Sequence, residues 1–383
     1  MFQRSQPASS CQALDPHGAA TLSSSIELPR SHPASSCHAL ILHRAATLSS
    51  SIELPRSHPP SSCHALILHR AATLSSSIEL PRSHPPSSCH ALILHRAATL
   101  SSRIDVVLMG MPKSGTTWML EILWTMLHNP DLNNPQGVDE LIYIRAPHIE
   151  FDMFSDNKSY SKIFGKNVRS VEVFSQMCPG KKMEDGVFLQ LSEALPAPRV
   201  IKTHLPFSLL PPDLLHTAKV VYMARNPKDV VVSLFHHFCN LQLHDYTGPF
   251  DTFIKHFMND DLLYSPYWPH IKMAWKNKDH PNMHFLFYED LKTDVMKELR
   301  TLNKFLGTNL TQQQLDNVVE YTSFSSMKKR TIKMDENYPG VNRKKGGFIR
   351  KGETGDWKNH FSSEQEQQMN LWIENNSADI TFK

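Results

Sequence analysis

The first 103 residues contain no lysine, one aromatic residue, Phe2, and one glycine, Gly18. A stretch this poor in aromatics cannot bury enough apolar surface to offset the entropy of ordering it, which argues against a compact domain and predicts a disordered N-terminal tail. Cysteine is also scarce. Four of the six, Cys11, Cys37, Cys63 and Cys89, lie in this tail, leaving Cys178 and Cys239 for everything after it. Two cysteines do not make a disulfide framework, so a reducing compartment is expected. No apolar run approaches the roughly 18 residues that suggest a membrane span, and the opening MFQRSQPASS lacks the apolar core of a secretory signal. These absences predict a soluble, cytoplasmic protein. Excess charge is absent from the body of the chain as well. The tail holds eight arginines and four acids, whereas the remainder holds 32 basic and 33 acidic residues. The overall net charge of +3 therefore belongs to the tail and is no argument for a nucleic-acid partner.

The tail is a repeat. Residues 35–60 and 61–86 are nearly the same 26 residues, 9–34 is a diverged copy, and 87–102 begins a fourth. A fixed period of this size also occurs in solenoids, but each unit offers only a few leucines and isoleucines as core. Cys37, His38 and His43, with their equivalents, invite a metal reading. The plainer reading is a disordered tail, a product of tandem duplication or an artefact of the gene model. The boundary falls at residue 103, with a globular domain over 104–383.

Ile104-Asp105-Val106-Val107-Leu108-Met109 is a short run rich in β-branched residues. It leads through Gly110-Met111-Pro112-Lys113-Ser114-Gly115 into Met119, Ile122, Leu123, Met126 and Leu127 at helical spacing. Strand, glycine loop and helix is the layout of a phosphate cradle, because free N–H groups and the helix dipole both attract an anion. Gly110 and Gly115 stand as G-x-x-x-x-G, yet Thr116 follows where a Walker A motif has lysine; Lys113 lies inside the loop instead. The later strand Lys219–Ala224 ends in Arg225, not in an acid for Mg²⁺. The pattern disfavours a kinase and suggests a metal-free site where cations neutralise developing charge. Taken alone, the loop is also compatible with a purely structural turn.

A second strand, Arg199–Thr203, stops before Pro206 and carries His204 at its C-terminal end, where open α/β sheets bind ligands. A neutral imidazole there can take a proton from an attacking hydroxyl. In a chain with 22 histidines, a hydrogen-bonded loop histidine is the plainer reading of His204 by itself. After the strand Lys219–Ala224, Pro227 marks the first turn of a helix. Arg225 and Ser233 face one crevice if Arg225 precedes that helix. A fourth strand, His284–Tyr288, precedes a helical pattern over Leu291–Leu306 that Gly307 caps. Arg350-Lys351-Gly352 is a basic, backbone-accessible anion site, although one such run alone is more often a solvated loop. The glycine loop with Lys113 and the Arg350 run are thus two separated basic sites. The prediction is one α/β domain with a central parallel sheet flanked by helices on both faces and a P-loop-like nucleotide site.

Pro112–Trp118 resembles the 5′-phosphosulfate-binding loop of the cytosolic sulfotransferases, and Lys202-Thr203-His204-Leu205-Pro206 resembles the catalytic strand end of that family. Arg225–Ser233 is similar to its 3′-phosphate motif, and Arg350-Lys351-Gly352-Glu353-Thr354-Gly355-Asp356-Trp357 to its R-K-G-x-x-G-D-W signature. The resemblance spans about 104–383 in family order, and Ser265–His270 looks more like invertebrate members. It implies transfer of a sulfuryl group from 3′-phosphoadenosine 5′-phosphosulfate (PAPS) to a hydroxyl or amine of a small apolar acceptor: a phenol, alcohol, sterol or amine. By resemblance, Lys113, Ser114, Gly115, Thr116 and Thr117 hold the 5′-phosphosulfate, and Trp118 stacks on the adenine. Arg225, Ser233, Phe348, Ile349, Arg350, Lys351 and Gly352 bind around the 3′-phosphate. Tyr288, Thr322 and Phe324 complete the adenine pocket; taken singly, each is more often a core aromatic or a cap. His204 is implied as general base, Lys113 as the group meeting the leaving oxygen, and Lys202 as a second cation at the transferring group.

Phe151, Phe154 and Phe238 are candidates to line the acceptor pocket. No metal, membrane or nucleic-acid partner is expected. The chain departs from the family in two places. The repeat stands where the family has an ordered segment that partly lines the acceptor pocket. The family's dimer motif, K-x-x-x-T-V-x-x-x-E, reads Lys358, Ser362, Ser363 and Gln367 here, a degenerate form that leaves a homodimer open. Two rivals share the nucleotide motifs: a PAPS-dependent alcohol dehydratase, and a non-catalytic nucleotide-binding protein without a complete acceptor pocket.

Overall fold

The computed structural model describes residues 40–43, 66–69, 92–94, 105–133, 142–154, 169–241, 244, 246–335, 349–377 and 380–382. The chain divides into two compact units, residues 1–97 and 98–383.

In the first unit, β1 (Leu40–His43), β2 (Leu66–His69) and β3 (Leu92–Leu94) form a parallel sheet in that order. Leu40 pairs with Leu66 and Leu66 with Leu92, so each repeat aligns with its own equivalent one period on. Apart from these three segments, the expectation of a disordered tail lies outside the described residues.

The second unit is built on β4 (Asp105–Gly110), followed by α1 (Thr116–His128), α2 (Ile142–Arg145), α3 (Arg169–Met177) and α4 (Val187–Ala194). Next come β5 (Val200–Thr203), α5 (Leu214–Thr217), β6 (Ala218–Ala224), α6 (Pro227–Asn240), α7 (Phe250–Met258), α8 (Tyr267–Lys276) and β7 (Met283–Phe287). The remaining elements are α9 (Tyr288–Thr293), α10 (Val295–Leu306), α11 (Gln312–Tyr321), α12 (Phe324–Asp335) and α13 (Ser363–Ser377). The strands lie in the order β5-β4-β6-β7, all parallel. This is the expected central parallel sheet, with helices on both faces.

Strand alternation divides the core. Val106 and Leu108 of β4, with Val221 and Met223 of β6, face α1, α10 and α11. Val107 and Met109, with Val220 and Tyr222, face α6, α7 and α8. Both faces are covered, so the strands read as continuous apolar runs. Burying each such side chain contributes about 1.5–3 kcal/mol. At the start of β4, the fully buried Asp105 takes the Arg199 guanidinium in two contacts, Nε–Oδ1 3.0 Å and Nη2–Oδ2 2.5 Å. At its end, Gly110 has φ +151, and a Cβ there would run into the backbone carbonyl of Met223. Only glycine lets β4 leave the sheet this close to β6.

Two elements differ from expectation. Tyr288 opens α9 and does not end β7. The pattern over Leu291–Leu306 is two helices, because Asp294 accepts the Lys297 N–H at 2.9 Å and caps a new start. Gly307 does cap the second of them, at φ +75. Among the described residues no helix is long and apolar enough to cross a membrane.

Candidate nucleotide and acceptor site

The loop Met111–Gly115 leaves β4 at the C-terminal edge of the sheet. Lys113 is held at φ +70, in the left-handed region that a non-glycine residue adopts at a cost. Gly115 stands at the start of α1, where no side chain caps the helix. The first-turn N–H groups of α1 are therefore available to an anion.

Four cations converge on this loop. Burial pushes Lys113 down to about 7, and repulsion from Lys202, Arg225 and Arg350 adds to it. Burial pushes Lys202 down to about 8, opposed by Glu150. Such a field is relieved by a bound polyanion. Arg225 lies between β6 and α6, and its Nη1 donates to the Lys113 carbonyl at 3.1 Å. Its Nη2 donates to the Glu353 carbonyl at 2.7 Å, and its guanidinium lies 4.3 Å over the Tyr288 ring. One arginine thus ties the glycine loop to the Arg350–Trp357 loop.

That second loop is anchored by acids. Asp229 on α6 accepts the N–H of Gly355 at 2.7 Å and of Trp357 at 3.2 Å. Asp356 accepts from Arg350 Nη2 and Lys351 Nζ, each at 2.6 Å. Burial raises the Asp356 carboxyl, but hydrogen bonds from Lys351, Asn359 and Arg350 outweigh it and hold the group well below the usual carboxylate range. Gly352 stands at φ +68, and a Cβ there would sit 2.5 Å from Cδ2 of Phe324, so the loop closes directly on that ring.

The opposite end of the site is built around His204. Its Nδ1 contacts the carbonyl of Gly110. A carbonyl only accepts, so Nδ1 carries the proton and Nε2 keeps a free lone pair. Burial, then Lys202 and His148, drives the His204 pKa well below its ordinary value, keeping the ring neutral. His270 Nε2 donates to the His204 carbonyl at 3.0 Å, and Tyr222 hydroxyl donates to His270 Nδ1 at 2.7 Å. Behind His204, the Glu150 carboxylate accepts the His204 backbone N–H and, at 2.7 Å, His148 Nε2. Burial raises Glu150, but His148 and the His204 N–H outweigh it, leaving the carboxyl ionised.

One cavity of about 320 Å³ joins the two ends. Its walls include Lys113, Gly115, Thr116, Thr117, Trp118, Lys202, His204, Arg225, Ser233, Tyr288, Thr322, Phe324, Ile349, Arg350, Lys351 and Gly352. Lys113 and Arg350 thus share one cavity. Of the other candidates, Ser114 is buried beside it, and Phe348 lies outside the described residues. The Thr322 hydroxyl donates to the Val318 carbonyl at 2.7 Å and so acts first as a helix-end group. Phe151 and Phe238 line the His204 end; the side chain of Phe154 is outside the described residues.

Several residues at the site were not anticipated: Glu150, His148, Tyr264, His237, His244 and Asp356. Asp356 lay within the quoted R-K-G signature, and its acid between a glycine and a tryptophan was the available signal. Glu150 and His148 carry none, because they come from a turn far from any motif. Among the described residues no group of three or more His, Cys, Asp or Glu side chains is placed to hold a metal ion.

The sulfotransferase domain model matches residues 103–381. Sulfotransferase 1A1 of Rattus norvegicus is 35% identical over 275 residues, covering 71% of this chain and 84% of the relative. Sulfotransferase 1E1 of Homo sapiens is 32% identical over 281 residues, covering 73% and 85%. A crystal structure of retinol dehydratase in complex with androsterone and the inactive cofactor PAP superposes with a TM-score of 0.62 at 30% identity, covering 73% of this chain and 82% of that one. A second crystal structure holds retinol and PAP in the same enzyme. Glycine loop, converging cations and family match agree: the chain belongs to the sulfotransferase family and is a PAPS-dependent sulfotransferase.

Proposed function

We propose that this protein transfers the sulfuryl group of PAPS to a hydroxyl or amine of a small apolar acceptor, in the cytoplasm, with His204 as general base. The observation that carries the reading is the Gly110 carbonyl at His204 Nδ1, which leaves the lone pair on Nε2 of a neutral ring that lines the same cavity as Lys113. In the proposed step, His204 Nε2 takes the acceptor proton as the acceptor oxygen bonds to sulfur. The bond from sulfur to the 5′-phosphate oxygen breaks, and adenosine 3′,5′-bisphosphate leaves with that electron pair. Lys113 and the first-turn N–H groups of α1 meet the charge growing on that oxygen, the electrostatic logic of group transfer between oxygens. Lys202 supplies a second cation at the transferring group. Arg225, Ser233, Arg350, Lys351 and Gly352 bind the 3′-phosphate, while Trp118, Tyr288, Thr322 and Phe324 hold the adenine.

The aromatic groups Phe151, Phe238 and Tyr264 at the His204 end favour an apolar acceptor. The match to retinol dehydratase supports a second reading, in which the sulfated alcohol goes on to lose sulfate and form an alkene. The test is product analysis with PAPS and two acceptors, phenol and an allylic alcohol. Sulfate ester formed in step with adenosine 3′,5′-bisphosphate supports transfer; free sulfate and alkene from the alcohol support dehydration. Consumption of PAPS with neither product would sink both.

A further inference from the structure

His204 is accompanied at its end of the cavity by a second histidine that the reaction above does not use. His148 follows α2, on a turn bridged to β5: Lys202 N–H donates to the Pro147 carbonyl at 2.8 Å, and Ile149 N–H donates to the Lys202 carbonyl at 3.1 Å. The His148 ring stands edge-on to the His204 ring with centroids 4.9 Å apart, and both line the cavity. His148 is 5% exposed. Its Nε2 lies 2.7 Å from Glu150 Oε1, the oxygen that also accepts the His204 backbone N–H. A carboxylate oxygen with these neighbours acts as acceptor, so Nε2 carries the His148 proton and Nδ1 is left as an acceptor. Among the described residues His148 Nδ1 has no hydrogen-bond partner.

Two neighbouring imidazoles therefore present two lone pairs, Nε2 of His204 and Nδ1 of His148, each with its tautomer set by an oxygen behind it. Glu150 Oε1 joins the two, holding the His148 ring by Nε2 and the His204 backbone by its N–H. A single hydroxyl uses one lone pair. An acceptor carrying a second hydroxyl beside the reacting one has a donor for each.

We infer that His148, oriented by Glu150, is a specificity-determining residue that accepts a hydrogen bond from a second hydroxyl of the acceptor, so that vicinal diols of aromatic acceptors are preferred over single phenols. The inference rests on the reading of His204 as the base at the reacting hydroxyl. The second hydroxyl loses no proton; it donates to His148 Nδ1 while its neighbour is sulfated. Replacing a hydrogen bond to water by one to a buried neutral nitrogen is worth about 3- to 10-fold in binding.

The test measures kcat/KM with PAPS for catechol and for phenol, using the parent, His148→Phe and His148→Gln. The parent should favour catechol about 3- to 10-fold, mostly through KM. His148→Phe should lose that ratio, and His148→Gln should keep part of it, because an amide donates to Glu150 with one end and accepts with the other. Adenosine 3′,5′-bisphosphate binding by each variant reports that the site is folded. An unchanged catechol-to-phenol ratio in a His148→Phe protein that binds the nucleotide overturns the inference. If His148→Phe does not fold, the parent decides alone: no preference for catechol overturns it. Turnover of phenol without that preference leaves the proposed function standing and removes only this inference, whereas turnover of neither acceptor removes both.

Discussion

Raising the pH should weaken nucleotide binding, and Lys113 sets the size of the effect. In the free protein burial and its cationic neighbours hold Lys113 near 7, whereas its ordinary value is 10.5. A bound phosphate restores the charged form, so in this window the complex holds one more proton than the free protein. The sign follows: binding takes up a proton, and rising pH opposes it. The dissociation constant should grow as one plus ten to the power of pH minus 7, about 2-fold at pH 7, 10-fold at pH 8 and 100-fold at pH 9. Lys202, held near 8 by burial, should add up to about tenfold at pH 9 if the same anion reaches it. The ligand's own phosphates, with a second ionisation near 6, contribute little above pH 7.5. The assay is calorimetry of adenosine 3′,5′-bisphosphate binding between pH 7 and 9, in two buffers of different ionisation enthalpy. The buffers should report uptake approaching one proton, and Lys113→Met should remove most of the slope. An affinity flat across this range, with no proton uptake, would refute the assignment of Lys113 to the phosphate.

Arg350→Ala removes a charge-assisted contact worth roughly 1.5–3 kcal/mol, so PAPS should bind about 10- to 150-fold more weakly, measured by the same calorimetry. Gly352→Val should be worse for the nucleotide than for stability, because its side chain meets the Phe324 ring and displaces the loop; a thermal melt alongside binding separates the two effects. Asp105→Ala leaves the buried Arg199 guanidinium without its carboxylate and should cost about 3–5 kcal/mol in denaturant unfolding.

The loops assigned to the proposed nucleotide site stand out in the sequence because the residues of each are contiguous. Lys113 to Trp118 and Arg350 to Gly352 each come from one stretch of chain, so both appear as runs in the sequence, and the fold brings them to one cavity. Strands buried on both faces likewise announce themselves as apolar runs, as β4 and β6 do. The His204 end was less legible, because its walls come from α2 and the turn after it, α6 and the segment before α8, with no fixed spacing between them. His148 and Glu150 acquire meaning only when the bridge to β5 sets them beside His204. Asp294 hid its helix break because the apolar period runs on through it, while its cap depends on local geometry. Tyr288 reads as strand for a related reason: a run of aromatics does not show where strand yields to helix. Phe348 and the tail apart from β1, β2 and β3 lie outside the described residues.

The central claim is that His204 removes the acceptor proton without holding the nucleotide. The most direct measurement is transfer of radiolabelled sulfur from PAPS to phenol by the parent and by His204→Ala, with adenosine 3′,5′-bisphosphate affinity determined on the same two proteins. The account predicts that turnover falls by about 10² to 10⁴ while the affinity stays nearly the same. Near-normal turnover by a His204→Ala protein would contradict it.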